Sequence, residues 1–199
     1  CIVVTVTPDV TSEDTLSFGR GVIVKAGAPD VLMPVARIDG TGLEKVVFTS
    51  IHDDDYGGDT NGDGSAMLPQ PGDWLGVFCK ATGGAVPEQG VFHAIVRYGG
   101  GGTYPISQEL SSIGGIVSPV WPVGSTRVEF SAHDGANLDP HELGFGNTAD
   151  NVVAFGNAGH GIISWNATNC TTVGNGGEGI QAFTARYCIS WNNGPSGTE

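Results

Sequence analysis

Basic residues are scarce. The chain has 199 residues, with 8 Lys and Arg against 21 Asp and Glu, for a formal charge of −13. A surface of that sign repels phosphate backbones and anionic headgroups, which makes nucleic acid and anionic lipid poor partners. Charged residues make up only 15% of the chain and hydrophobic ones 39%, whereas a disordered chain would be rich in charge and poor in apolar residues. No apolar run reaches the roughly 18 residues that suggest a membrane-spanning helix. Cys1, Cys79, Cys170 and Cys188 form no CxxC pair, so neither a zinc nor a haem spacing is present. The five histidines, His52, His93, His133, His141 and His160, lack the i, i+4 spacing of a helical zinc site. No G-x-S-x-G elbow occurs, and "YGGGGTYP" lacks the Lys and following helix of a phosphate loop. The sequence opens on neither a Met nor a leader-like stretch. The chain starts at Cys1 inside the strand-like "CIVVTV", which reads as a processed or excised piece; a lipoprotein would place a polar tether after its lipidated Cys.

Gly is in excess, 33 of 199, dispersed without the triplet period of collagen. With many Asn, Thr, Val and Ile, it points to an all-β protein with many turns. The organising signal lies in the last third. "NVVAFGNAGHGIISWNAT" (151–168), "NCTTVGNGGEGIQAFTAR" (169–186) and "YCISWNNGPSGTE" (187–199) align at an offset of 18 residues. Val152, Cys170 and Cys188 fall together, as do Phe155, Val173 and Trp191. So do Asn157, Asn175 and Asn193, then Gly161, Gly179 and Gly197, then Ile162 with Ile180 and Trp165 with Phe183. A repeat this short cannot bury an apolar face alone, so repeats must stack strand on strand as a β-solenoid. Like residues then lie about 4.8 Å apart. Asn157, Asn175 and Asn193 are predicted to pass amide hydrogen bonds along the stack.

Upstream, "KVVFTS" (45–50), "IVRYGG" (95–100) and "RVEFSA" (127–132) share an x-V-x-aromatic-small character, which puts Phe48, Tyr98 and Phe130 in the column of Phe155. A second column is expected through "GVIVKAG", "MPVARIDG", "LGVFCKA", "GGIVSPV", "GIISWN" and "GIQAFT". The reading is one domain, residues 1–199, of about six to seven coils. Residues 1–135 are irregular coils with insertions, the largest being the Asp-rich loop 52–74. Residues 145–199 are regular 18-residue coils. A left-handed hexapeptide solenoid would recur every six residues, but positions 152, 158 and 164 are Val, Ala and Ser. A calcium nonapeptide repeat fails at Gln181, where "GGEGIQ" should carry Asp.

"GNAGHGI" and "GNGGEGI" resemble the N-x-G-x-G-I coil motif of right-handed parallel β-helix proteins, the pectate-lyase-like superfamily. "VVFTSIHDDDYGGDTNGDG", "PQPGDWLGVF" and "HAIVRYGG" resemble a segment of large secreted bacterial surface proteins of that type. The resemblance covers most of the chain. It implies a right-handed parallel β-helix and an extracellular or cell-surface location. It implies no single activity, because the superfamily includes polysaccharide lyases, glycoside hydrolases, epimerases, adhesins and structural surface proteins.

Residues 51–74 hold Asp53, Asp54, Asp55, Asp59, Asp63 and Asp73, and no Lys or Arg. In "DTNGDGSAMLPQ", Asp59, Asn61 and Asp63 match positions 1, 3 and 5 of a calcium loop. Gly64 supplies the sharp turn, and the Ser65 carbonyl follows it. Gln70 stands where an EF-hand has its bidentate Glu, so outside ligands are needed from Asp53, Asp54, Asp55 or Asp73. Ca²⁺ is the one expected cofactor. A hydrated Asp/Gly turn held by side-chain-to-backbone hydrogen bonds accounts for the same residues.

A lyase of this fold needs an Arg or Lys base beside calcium-holding acids. Arg97 and Arg127 are the strand-borne candidates, and an outward, salt-bridged Arg is the simpler account of each. A glycosidase needs two carboxylates roughly 5–9.5 Å apart. "SAHDGANLDPHE" offers Asp134, Asp139 and Glu142 beside His133 and His141, in a stretch that a polar turn also explains. Trp165, Phe183 and Trp191 are candidate sugar-stacking rings. If Val152, Ala154 and their 18-residue partners point inward, Phe155 and Trp191 point outward; a one-residue slip reverses this. Inward Cys170 and Cys188 would stack as small apolar thiols, at a separation that also permits a disulfide. Cys1–Cys79 is a second candidate bridge. The N-x-T sequons at Asn166 and Asn169 matter only in a eukaryotic secretory setting.

The expected function is a non-catalytic structural or carbohydrate-binding surface module with a calcium-stabilised acidic loop. Alternatives are a polysaccharide lyase or glycoside hydrolase, and a subunit of an extracellular fibre or larger assembly. Expected partners are a polysaccharide or cell-surface glycan, and other domains or copies at uncapped solenoid ends, where unpaired strand edges invite pairing.

Overall fold

The computed structural model describes residues 1–5, 16–35, 37–79, 90–101, 116–117, 122–138 and 147–194. Among them every regular element is a β-strand, and there is no helix long and apolar enough to cross a membrane. All strand pairs are parallel. Eight strands form a first stack: β1 (Ile2–Val4), β3 (Ile23–Ala26), β6 (Val46–Ser50), β9 (Ala94–Arg97), β12 (Arg127–Glu129), β15 (Val153–Phe155), β17 (Thr171–Val173) and β19 (Ile189–Trp191). A second column runs through β4 (Leu32–Val35), β7 (Gly76–Cys79), β10 (Ile116–Val117) and β13 (Ala136–Asn137). A third runs through β2 (Ser17–Gly19), β5 (Arg37–Asp39), β8 (Gly90–Phe92), β11 (Val123–Gly124) and β14 (Thr148–Asp150). The long strands β16 (Ile162–Thr168) and β18 (Ile180–Arg186) continue both columns and join them into one sheet. The chain thus makes repeated circuits, returning each time to the first stack one strand further on, an arrangement compatible with a β-solenoid.

The 18-residue offset is the pairing register: Val153 opposite Thr171 opposite Ile189, and Ile162 opposite Ile180. Eight first-stack strands exceed the six to seven coils expected. The reason is that "GVIVKAG" forms β3 of the first stack, not a member of the second column, and that "CIVVTV" adds β1 to the same stack. The upstream aromatic column is also displaced. Phe155 pairs with Glu129 and Glu129 with Arg97, so Phe130 and Tyr98 lie one residue further along. Phe48 pairs with Val96 and points into the core. Tyr98 and Phe130 instead occupy the corner after the strand, with φ of 61° and 55°, where the later circuits use Gly156 and Gly174. A second left-handed corner precedes five of the first-stack strands, β9, β12, β15, β17 and β19, at His93, Ser125, Asn151, Asn169 and Tyr187.

The inward columns make the core. Val24, Phe48, Val96, Val128 and Ala154 stack in the first, with Met33, Val77, Ile116, Ala136 and Ile162 against them. Full burial of each large side chain is worth about 1.5–3 kcal/mol. The predicted asparagine ladder is present. Asn157 donates its amide to Asn175 Oδ1 at 2.8 Å, and Asn175 donates to Asn193 Oδ1 at 2.7 Å. Each Oδ1 also accepts the backbone N–H of the Asn before it, at 3.1 and 3.0 Å. The glycine column follows from the ladder: a Cβ on Gly161 would lie 2.5 Å from the Gly179 carbonyl and 2.8 Å from Asn175 Nδ2.

No disulfide joins the cysteines. Cys1 lies against Gly57, while Cys79 is buried on β7 in the other sheet, so the Cys1–Cys79 bridge is not made. Cys170 and Cys188 sit in the inner column of Val152 as thiols. They donate to the Thr168 and Arg186 carbonyls, each at 3.2 Å. Burial pushes the Cys170 thiol up from 9.0 to about 11. Folding therefore favours its protonated form. That stabilisation is whole below pH 9.0 and is lost as pH rises towards about 11. Cys170→Ala is expected to flatten the fall in unfolding midpoint over that window relative to the parent, as followed by circular dichroism. Its small cavity lowers the midpoint equally at every pH.

Candidate functional site

Alternation along the first stack sends Lys25, Thr49, Arg97 and Glu129 to the outer face, since Val24, Phe48, Val96 and Val128 point inward. Yet all four are buried. The acidic loop covers them. Its base is closed by Ser50, whose hydroxyl donates to Asp73 Oδ2 at 2.6 Å, and by Trp74, whose indole N–H donates to the Arg97 carbonyl at 2.8 Å. Its middle is held by Lys25 Nζ, which donates to the Gly58 carbonyl at 2.6 Å. Thr49 donates its hydroxyl to Asp53.

Arg97 is the centre of this clamp. Its guanidinium reaches Asp53 Oδ2 at 2.9 Å, Asp55 Oδ2 at 3.2 Å and Glu129 Oε2 at 3.3 Å. It donates to Tyr98 Oη at 3.1 Å and lies over the rings of Tyr56, Tyr98 and Phe130. Burial by itself would lower its pKa. The charge of Asp53, with Tyr98, Asp55 and Glu129, overcomes that and raises it above the ordinary arginine value. A guanidinium held this way stays charged, so it is ill suited to act as a base. Three acids and an arginine do come together, as a lyase site requires, but Asp53 and Glu129 are buried and only the Asp55 side chain, 74% exposed, reaches water. Arg127 pairs with Glu129 at the rim.

The calcium-loop residues form a separate knot at the loop tip. Asp59 accepts the backbone N–H groups of Gly64 at 2.9 Å, Gly62 at 2.7 Å and Asp63 at 3.2 Å. The Gly64 amide foremost, helped by those of Gly62 and Asp63, holds its carboxyl below the usual value against the opposing effect of desolvation. Asn61 donates to Asp63 Oδ2 at 2.8 Å. Asp55 and Asp73, expected to complete a metal shell, are drawn away to Arg97 and Ser50. Asp54 takes their place at the tip, accepting the Ser65 hydroxyl at 2.5 Å. Asp54 Oδ1 and Thr60 Oγ1 are buried without a hydrogen-bond partner. Among the described residues no three His, Cys, Asp or Glu side chains are grouped to hold a metal. A cation here would thus draw on Asn61, on backbone carbonyls and on water as well as on acids.

No family model matches the chain, and neither a curated protein nor a solved structure does.

The other candidates are scattered. Asp134 is buried and caps the next circuit, accepting His160 N–H at 2.9 Å and the Asn137 amide at 3.3 Å. Asp139, His141 and Glu142 lie outside the described residues, as does Gly197. Trp165 and Phe183 stack on each other, with ring centroids 4.8 Å apart. Each thus covers a face that a sugar would use. Trp191 is exposed in the first stack, away from that pair. Sequence reasoning missed Lys25, Tyr56 and Glu129 as parts of the clamp. The one available signal was Lys25, a lone charge inside the apolar run "VIVKA".

Proposed function

We propose that the chain is a non-catalytic, extracellular or cell-surface structural module whose circuits close into a right-handed parallel β-helix and whose acidic loop takes Ca²⁺. The observation that carries this reading is the use made of the loop's acids. Asp53 and Asp55 go to Arg97, Asp73 to Ser50, and Asp59 to three backbone amides. The acids fasten the loop instead of facing a groove. Ca²⁺ would be held at the tip by Asp59, Asn61 and Asp63, with Asp54 beside them and its buried, unpartnered oxygen as the supporting detail. It would supply charge neutralisation to a chain of net −13. A glycan-binding role would rest on exposed Trp191 and on the outer ring face of Phe183.

The test is thermal unfolding with Ca²⁺ and then with chelator, alongside lyase-absorbance and reducing-sugar assays on a polysaccharide panel. Ca²⁺ at a hundredfold over its dissociation constant is expected to add about 2.7 kcal/mol, and no polymer is expected to be cut. A midpoint indifferent to Ca²⁺ removes the metal from the proposal. Calcium-dependent cleavage of any polymer replaces it with the lyase or hydrolase reading.

A further inference from the structure

We propose that Asn61 is a self-modifying residue: the folded loop promotes loss of its side-chain amide, leaving aspartate or isoaspartate. Three Asn-Gly pairs occur, Asn61-Gly62, Asn175-Gly176 and Asn193-Gly194. With no side chain on the glycine, its backbone nitrogen can approach the amide carbon of the Asn before it. The fold gives the three pairs different surroundings.

At Asn61 the groups needed for the reaction are in place. Gly62 N–H donates to Asp59 Oδ1 at 2.7 Å, so a carboxylate already holds the proton that must leave for the nitrogen to attack. Asp63 N–H donates to Asn61 Oδ1 at 3.3 Å, the atom on which negative charge develops. A fixed donor at that atom stabilises the transition state. The departing nitrogen, Asn61 Nδ2, donates to Asp63 Oδ2 at 2.8 Å and lies 3.2 Å from His52 Nδ1, which in the tautomer or ion that carries a proton on Nδ1 is within reach to give one to it. Asp59 is then the base, the Asp63 amide the oxyanion donor and His52 the acid. The bond from Gly62 N to Asn61 Cγ forms and the Cγ–Nδ2 bond breaks. The proton lost from Gly62 N is balanced by the one gained by Nδ2, which leaves as ammonia. Water then opens the succinimide at either carbonyl, with no oxidation or reduction.

At Asn175 the same step is opposed. Gly176 N–H is held by the Asn157 carbonyl at 2.8 Å. The buried Asn175 amide donates to Asn193 Oδ1 and the Ala154 carbonyl and accepts twice from Asn157. Closing the ring would break these bonds together. At Asn193, Gly194 N–H goes to the Gly177 carbonyl at 2.8 Å, and the amide donates to Thr172 and Ser190. Those partners are carbonyls and hydroxyls, with no carboxylate to act as base.

Ca²⁺ would draw on the same Asp59 and Asn61 oxygens, so the reaction belongs to the calcium-free loop and is tested in the presence of chelator. Its test is to incubate folded and urea-unfolded protein at mildly alkaline pH and to map amide-to-acid conversion by peptide mass spectrometry. Asn61 is expected to convert at least about tenfold faster folded than unfolded, which requires only about 1.4 kcal/mol of barrier lowering. Asn175 is expected to convert more slowly folded than unfolded. His52→Ala, mapped beside the parent, is expected to lose part of the acceleration at Asn61 and leave Asn175 unchanged. Conversion of folded Asn61 at or below its unfolded rate would overturn the proposal, as would an unchanged rate in His52→Ala.

Discussion

Arg97→Met is expected to lower the unfolding free energy by about 3–5 kcal/mol. The loss does not measure the ion pairs themselves. Asp53 and Glu129 have side chains 1% and 6% exposed; without the guanidinium, Asp53 is left a buried charge with only the Thr49 hydroxyl and Asp55 amide, and Glu129 keeps only Arg127 at the rim. The methionine fills part of the volume, so a cavity is a minor contribution. Arg97→Met combined with Asp53→Asn and Glu129→Gln should recover much of the loss, because neutral amides cost far less to bury. Denaturant titration of the three proteins decides the matter. If the triple variant is no more stable than Arg97→Met, the clamp acts through packing of the Tyr56, Tyr98 and Phe130 rings over the cation, not through charge.

Asn175→Ala is expected to cost about 2–4 kcal/mol, the sum of several orphaned buried groups. Asn157 loses an acceptor for both its backbone N–H and its side-chain amide, Asn193 Oδ1 loses a donor, and the Ala154 carbonyl loses its own. Asn193→Ala removes as many bonds, to Asn175, Thr172 and Ser190, but at a half-buried position where water can replace them, and is expected to cost about half as much. Equal losses for the two variants would show that burial does not set the cost of a rung.

The ladder and the regular circuits were legible in the sequence because identical residues recur at a fixed offset, and parallel in-register strands lay like over like. Once Val152, Cys170, Ala154 and Thr172 were taken as inward, the outward direction of Phe155 and Trp191 followed, and the structure has both exposed. The early circuits were misread where motif similarity competed with register. "RVEFSA" and "VVAFGN" look alike, yet Phe130 turns the corner and Phe155 lies in the strand. A short motif does not say where a strand ends when an aromatic residue occupies a left-handed corner usually given to glycine. The acidic loop was visible as a knot of Asp, Asn and Gly. Its dependence on Lys25, Arg97 and Glu129 was not, because those contacts cross between circuits tens of residues apart. A carboxylate's partner across such a gap leaves no local trace. Asp55 and Asp73 were therefore assigned to a metal shell when their partners were Arg97 and Ser50.

Each strand of the first stack pairs only with its equivalents in the circuits immediately before and after it. Cooperativity in such an array passes from neighbour to neighbour, so stability is a profile along the chain and not one quantity. Arg97 and Asn175 belong to different circuits and share no hydrogen-bond partner, so damage at one should reach the other only through the circuits between them. Amide exchange should then be fastest at β1 and β19, each of which among the described residues has a neighbour on one side alone, and should slow towards the middle of the stack. Unfolding can start at an edge and advance circuit by circuit, and the number of transitions seen depends on how strongly adjacent circuits are coupled.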